Sequence, residues 1–276
     1  MPENPNQNGH FEPIHDAHAL EQVAFVFQVD HPIDDARYLE VRGAAAGVAT
    51  DLPGRAELQG FKLSVGAQGA LGLGPSMGNQ FSRTRPDGAV EGELRIDRTS
   101  ATFRTMIYTR WEEVWAKARS YFDAIVPRYL GPGRISGISL NFVDKFVWTG
   151  APAACRPSLL LRPGSRYVCP HVYEVDDLWH SHTGAFLRAD RQTKRLLNIN
   201  IDYLDENLPT GSRRIVVVTT VLTDLMNQAG FDPLEVGETA LLGVFDDHMQ
   251  QLHAFGKMAF GNIINDEMSR RIALTD

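Results

Sequence analysis

Residues 195–223 read RLLNINIDYLDENLPTGSRRIVVVTTVLT, and this stretch decides the class of fold. Apolar and polar residues alternate from Leu197 to Tyr203, which is the period of a strand with one covered face. A polar loop follows, and then a β-branched run from Ile215 to Leu222 that is typical of an antiparallel partner strand. The stretch therefore predicts two paired strands of a sheet in the second half of the chain.

The same reasoning extends to the rest of the chain. We expect further strands at 20–30, 57–65, 91–97, 101–108, 135–148 and 184–189, and helices at 33–48, from Thr109 to the Gly131-Pro132-Gly133 break, from 237 or 238, and at 266–273. Thr109 and Glu112 predict a capping box for the second helix. The helices are few and do not alternate strictly with strands. The predicted fold class is therefore α+β, with mainly antiparallel sheet in two similar halves, a few packed helices and a C-terminal helical segment.

Composition divides the chain into four parts. Residues 1–17 are polar and rich in Pro and Asn, which predicts a flexible N-terminal arm. Residues 18–150 form an N-terminal α+β half, the proline-rich stretch 151–180 an irregular connection, and 181–276 a C-terminal α+β half. The alternative is one continuous domain that joins the last part to 18–150. Within the first half, the glycine-rich passage 66–80 predicts turns or a mobile loop, and it has neither GxxxxGK[ST] nor GxGxxG.

The bulk properties limit the functional classes. The chain has 276 residues, 43% hydrophobic residues and a formal net charge of −7, which argues for solubility and against a dominant nucleic-acid surface. Its two cysteines, Cys155 and Cys169, fit idle thiols in a reducing compartment. The sequence shows no signal peptide and no apolar stretch of the roughly 18 residues that span a bilayer. We therefore expect a cytoplasmic protein without a membrane segment, and no motif predicts a cofactor.

Two groups of residues are candidates for chemistry. His180 and His182 point to the same side if their segment is extended, and they could share a metal with a third ligand, His171 or Asp176. The alternative is that these histidines are solvated. Asp246 and His253 lie two helical turns apart and could serve as a general acid–base pair, unless His253 is a packed structural group.

A third group is a candidate for binding. Asn198, Asn200 and Asp202 form the polar face of the alternating strand, which is either a binding groove or the solvent side of the sheet. A basic collar between Arg188 and Arg214 flanks it and could contact nucleic acid or another acidic partner, or protect a hairpin edge by charge. The collar residues are Arg188, Arg191, Lys194, Arg195, Arg213 and Arg214.

Three segments together resemble a known family. They are 20–27 (LEQVAFVF), 134–144 (RISGISLNFVD), and Leu252-His253 followed by Phe260, Ile264 and Glu267. In this order the chain is similar to a family of sporadically distributed, uncharacterised bacterial proteins of about 250 residues, with an opening strand, a central strand of the type glRYiN and a C-terminal Leu-His…Phe helix. Asn141 stands where that pattern has Arg, and Asp144 stands where it has Asn. The resemblance implies an altered site, if those two positions serve one.

These observations lead to three functional hypotheses. The first is a cytoplasmic, non-enzymatic interaction protein whose partner is another protein; the patchy distribution of the family it resembles implies a mobile-element or phage-defence accessory system. The second is a hydrolase or nuclease that uses Asp246 and His253. The third is a nucleic-acid-binding protein that uses the basic collar. Each of these hypotheses is compatible with a homo-oligomer.

Overall fold

The computed structural model describes residues 9–63, 71–129, 135–209, 211–234 and 240–274. Within these ranges the chain forms four helices and one sheet of ten antiparallel strands, which confirms the predicted α+β class. The helices are α1 (Asp35–Val48), α2 (Trp111–Tyr129), α3 (Leu241–Gly261) and α4 (Asp266–Arg271). The strands are β1 (Phe11–Pro13), β2 (Leu20–Val29), β3 (Gly54–Leu63), β4 (Leu71–Thr84), β5 (Val90–Asp97), β6 (Ser100–Thr105), β7 (Ile135–Trp148), β8 (Trp179–Arg188), β9 (Thr193–Leu208) and β10 (Gly211–Met226).

The strand order places β7 inside the sheet. The order is β3-β4-β5-β6-β2-β7-β10-β9-β8, and β1 pairs with the far end of β7. Strand β7 pairs with β2 along one edge and with β10 along the other. Because β2 and β10 come from the two predicted halves, one sheet runs through both halves.

Three helices pack on one face of this sheet, which we call the covered face. Alternate residues of β2 and β7 supply its aromatic layer: the ring of Phe25 lies 5.5 Å from that of Trp115, and the ring of Phe27 lies 5.9 Å from that of Phe245. Tyr38 of α1 also reaches this face and donates to Asn79 on β4 at 2.8 Å. The pleat sends the remaining side chains of each strand to the opposite side, which we call the open face.

Three local expectations are wrong. Residues 9–17 of the predicted flexible arm contain strand β1, because Phe11 is 2% exposed and packs its ring 5.2 Å from Trp148. Most of the glycine-rich passage belongs to β4, whose backbone pairs with β3 and β5; residues 1–8 and 64–70 lie outside the described ranges. The predicted capping box does not form, since the Thr109 hydroxyl donates to Glu113 at 2.6 Å rather than working with Glu112.

A buried charge cluster holds α3 to the covered face. Asp224 on β10 is 0% exposed and accepts from Arg195 Nε at 2.6 Å, from Arg195 Nη2 at 2.8 Å and from the His248 ring on α3 at 2.7 Å. Burial alone raises the pKa of Asp224, but the hydrogen bonds from Arg195 and His248 outweigh burial and hold the pKa below its ordinary value. The carboxylate therefore joins two strands and a helix.

We expect Asp224→Ala to lower the free energy of unfolding by about 3–5 kcal/mol, because it leaves the Arg195 guanidinium buried without a counter-charge. Urea denaturation measures the change. The control is Asp123→Ala, which removes only an exposed pair with Arg119 on α2 and should cost less than about 1 kcal/mol. Equal losses in the two variants would contradict a supporting role for the buried cluster.

Candidate functional site

A cleft of about 580 Å³ opens between the covered face, the start of α2 and the second half of α3. Its floor contains Phe142 and Asp144 of β7 and Thr220 of β10. We call it the Asp144 cleft. Its walls are formed by Ala17, His18, Ala19, Leu20, Tyr108, Thr109, Arg110, Trp111, Glu112, His253, Gly256, Lys257, Phe260, Ile272, Ala273 and Leu274.

Asp144 is a carboxyl group in an otherwise apolar row. Alternation along β7 sends Leu140, Phe142 and Phe146 to the covered face, and Asp144 follows the same phase. Asp144 is 5% exposed, and its side chain forms no hydrogen bond or ion pair with any described residue. Burial raises the pKa of Asp144 to about 8, so the group is mainly protonated at neutral pH. The floor of the cleft therefore holds a carboxylic acid to which the described part of the chain offers no partner.

Two hydroxyl groups lie near this acid. Thr220 is diagonal to Asp144 across the β7–β10 pairing, it is 1% exposed, and its Oγ1 has no hydrogen-bond partner among the described residues. Tyr108 stands in the cleft wall. Burial first, and then the charges of Glu112 and Asp144, raise the pKa of the Tyr108 phenol to about 12. The cleft therefore offers two neutral hydroxyl groups beside the carboxyl.

The two histidines of the cleft are held neutral. His253 stacks on Trp111 with ring centroids 3.9 Å apart and planes 5° apart, and burial followed by the charge of Lys257 lowers its pKa to about 4. The ring of His18 donates from Nε2 to the Tyr108 carbonyl at 3.0 Å, and burial followed by the neighbouring His15 lowers its pKa. Neither ring supplies a positive charge to the cleft at neutral pH.

The structure does not bring Asp246 and His253 together as an acid–base pair. Asp246 accepts from Trp115 Nε1 at 2.6 Å and pairs with Arg119 at 3.2 Å, so its oxygens are already used. His253 lines the cleft, but no described residue forms a hydrogen bond with its ring. The two side chains share α3 without contacting each other through any described bond.

The other polar candidates meet on the open face of the β8–β9 pair. His180 lies directly opposite Asp202, and His182 lies opposite Asn200. Asn198 packs against Gly184, where an added Cβ would lie 2.4 Å from the Asn198 oxygen. His180 and His182 do point the same way, as an extended segment requires. His171 belongs to a short 3₁₀ turn outside the β8–β9 pair, and the described residues contain no group of three or more His, Cys, Asp or Glu side chains arranged for a metal.

The predicted basic collar is divided between the two faces. Arg195 and Arg214 are buried on the covered face, because they share the strand phase of the apolar residues, whereas Arg213 lies on the open face. Each of the three has a carboxylate partner: Arg195 pairs with Asp224, Arg213 with Glu206 at 2.6 Å, and Arg214 with Asp205 at 2.7 Å. Their charges therefore do not form one positive surface beside Asn198, Asn200 and Asp202.

The two positions that depart from the glRYiN pattern point to opposite faces. Asn141 lies on the open face, and its Oδ1 is buried without a partner among the described residues. Asp144 lines the cleft.

Comparisons with family models, with curated proteins and with solved structures found no match to this chain. A search of the described helices for a membrane-spanning segment found none.

From the sequence, Asp144 is only a departure from the glRYiN pattern and not a predicted catalytic, binding or metal residue, although its position carries a further signal. In the stretch ISLNFVDKF it is the one acidic residue in phase with Ile138, Leu140 and Phe142. A charged residue at a core position is rare unless it has a partner or a function. The other cleft residues carry no such signal, because they come from separate segments that only the folded chain brings together.

We expect Asp144→Asn to stabilise the protein at alkaline pH. The folded-state pKa of about 8 lies above the ordinary value of 3.8, so the wild type loses stability as the pH rises from about 4 to about 8. An amide does not titrate, so the advantage of the variant should grow by on the order of 1 kcal/mol for each pH unit in that interval and stay constant above it. Thermal unfolding between pH 4.5 and 8.5 measures the difference.

The exposed residue Asp16, changed to Asn, is the matched control for the change from carboxyl to amide. A stability difference for Asp144→Asn that is constant with pH would mean that the Asp144 carboxyl is not held in an unfavourable environment.

Proposed function

We propose that the protein is a binding protein and that a small organic ligand occupies the Asp144 cleft. The observation that carries the proposal is the Asp144 carboxyl on the floor of the cleft, which has no partner among the described residues. A buried polar group without a partner costs free energy, and such a group remains useful where a ligand supplies the partner. Thr220 supports the same interpretation, because its buried hydroxyl also lacks a partner among the described residues.

The size and walls of the cleft suit a small molecule. A volume of about 580 Å³ is within the usual range for ligand sites, which are mostly apolar with a few placed polar groups. Leu20, Phe142 and Phe260 supply apolar surface, and the stacked rings of Trp111 and His253 form a flat aromatic wall. Asp144, Thr220 and Tyr108 are the placed polar groups.

A substitution that blocks the entrance of the cleft tests this function. Ala17 is exposed at the edge of the cleft, and Ala17→Trp should fill the entrance. We expect the neutral dye Nile red to gain fluorescence with the wild-type protein and to lose at least about tenfold in affinity with Ala17→Trp, because the bulky ring occupies its binding volume. A fluorescence titration measures both affinities.

The matched control is Ala116→Trp, which adds the same ring at an exposed position of α2 outside the cleft lining. It should bind the dye as the wild type does. If the two variants bind Nile red equally well, the cleft is not a ligand site. The same conclusion follows if a screen of aromatic fragments finds no fragment whose binding is weakened by Ala17→Trp.

A second candidate function is the binding of another protein through the open face of β8 and β9. The observation that favours it is the cluster of His180, His182, Asn198, Asn200 and Asp202 on adjacent strands. A photo-reactive residue placed at position 182 should then form one discrete protein conjugate in an extract of the host. The same residue at position 116 should not. Conjugates at both positions, or at neither, would remove this candidate.

A further inference from the structure

The polar floor of the Asp144 cleft is made of a carboxyl and hydroxyl groups whose oxygens can accept hydrogen bonds from a ligand. The Asp144 carboxyl has two oxygens and no described partner, and Thr220 Oγ1 is buried without one. The Tyr108 phenol stands close enough for Asp144 to influence its pKa. A ligand group with several N–H donors would satisfy oxygens contributed by β7, by β10 and by the segment before α2.

The charged residues described around Asp144 do not supply a cation that pairs with its carboxyl. Arg110, Glu112 and Lys257 line the cleft, but burial raises the pKa of Asp144, and no cation among the described residues lowers it. His18 and His253 are neutral there, as described above. A buried carboxylate becomes favourable when a cation is placed against it, and nothing in the described protein does this.

We propose that the cleft selects a ligand that carries a protonated primary amine on an aromatic or other apolar body. This inference deepens the proposed binding function and rests on it. The ammonium group lies against Asp144 and Thr220, and the apolar body lies between the Trp111–His253 wall and Phe142 and Phe260. An ammonium group has three donors, which matches the several acceptors on the floor.

Binding of such a ligand exchanges one proton with the solvent. At neutral pH the Asp144 carboxylic acid releases its proton, the carboxylate pairs with the ammonium group, and the amine keeps its own three protons. One proton is therefore released for each ligand bound below about pH 8, and the release disappears above it. An alcohol of the same shape binds without this exchange.

Three probes with one aromatic body test the inference: 2-phenylethylamine, 2-phenylethanol and 3-phenylpropionate. Isothermal titration calorimetry at pH 6, 7 and 8, in two buffers of different ionisation enthalpy, measures affinity and proton release together. At pH 7 we expect the amine to bind at least about tenfold more tightly than either other probe, since only it compensates the buried carboxylate. Its affinity should rise with pH up to about 8, with release of close to one proton at pH 6.

Two variants identify the groups that select the amine. Asp144→Asn keeps the shape of the side chain and is expected to be stable. It should weaken amine binding at least about tenfold and 2-phenylethanol binding by less than about threefold, because only the amine loses a charge pair. Thr220→Val removes only the hydroxyl and should weaken the amine about three- to tenfold. Ala116→Trp should bind all three probes as the wild type does.

The outcomes separate this inference from the proposed function. If the alcohol or the carboxylate binds as well as the amine, if Asp144→Asn retains the amine, or if the amine does not bind while Nile red does, amine selectivity is wrong and the binding function stands. If the amine binds equally well to wild type and to Ala17→Trp, the cleft is not where the amine binds, and amine selectivity is wrong. If Nile red is equally unaffected by Ala17→Trp, the proposed function is wrong as well.

Discussion

The position of β7 inside the sheet is the constraint on which the candidate site around Asp144 depends. Strand β7 is paired along both edges, with β2 and with β10, so it cannot shift to expose the carboxyl. A slip of one residue would send Leu140, Phe142 and Phe146 away from the helices, which is a far larger cost than one buried acid. The pairing therefore holds Asp144 on the covered face, and α2 and α3 form a cleft above it.

The covered face contains two buried aspartates, and they differ in whether the protein supplies a partner for the carboxyl. Asp224 lies under α3 with Arg195 and His248 as partners, and the cluster is complete within the protein. Asp144 lies under the second half of the same helix and has no partner among the described residues. The first arrangement joins the sheet to the helix. The second leaves a polar group for something outside the chain, which is why the cleft, and not the cluster, is our candidate site.

The sequence allowed most of the fold to be predicted, because local periodicity determines it. Alternation located β2, β7, β9 and β10, and the spacing of apolar residues located α2 and α3. Strand β4 escaped prediction, since its glycine-rich sequence has no alternating pattern and its backbone is held by β3 and β5. Strand β1 is only three residues long, and its pairing with β7 depends on contacts distant in sequence.

The site was less predictable, for a physical reason. Residue type suggested Asp246, His253 and the arginines as site residues. In the structure, Asp246 already accepts a hydrogen bond from Trp115, and the buried Arg195 and Arg214 are already paired with carboxylates. Arg195 shares the phase of Leu197 and is buried for that reason, as Asp144 shares the phase of Phe142. A charged residue in phase with apolar ones was thus the useful signal. It identifies a buried charge, but it does not reveal whether the folded chain supplies a partner.

The state of the Asp144 carboxyl can be measured by ¹³C NMR titration of its carboxyl carbon, assigned by comparison with Asp144→Asn. We expect this carboxyl to remain protonated through neutral pH and to titrate with a pKa of about 8. Ionisation near 3.8, the ordinary value for an aspartate, would show that the carboxyl is solvated or already paired and that the cleft does not hold a buried acid.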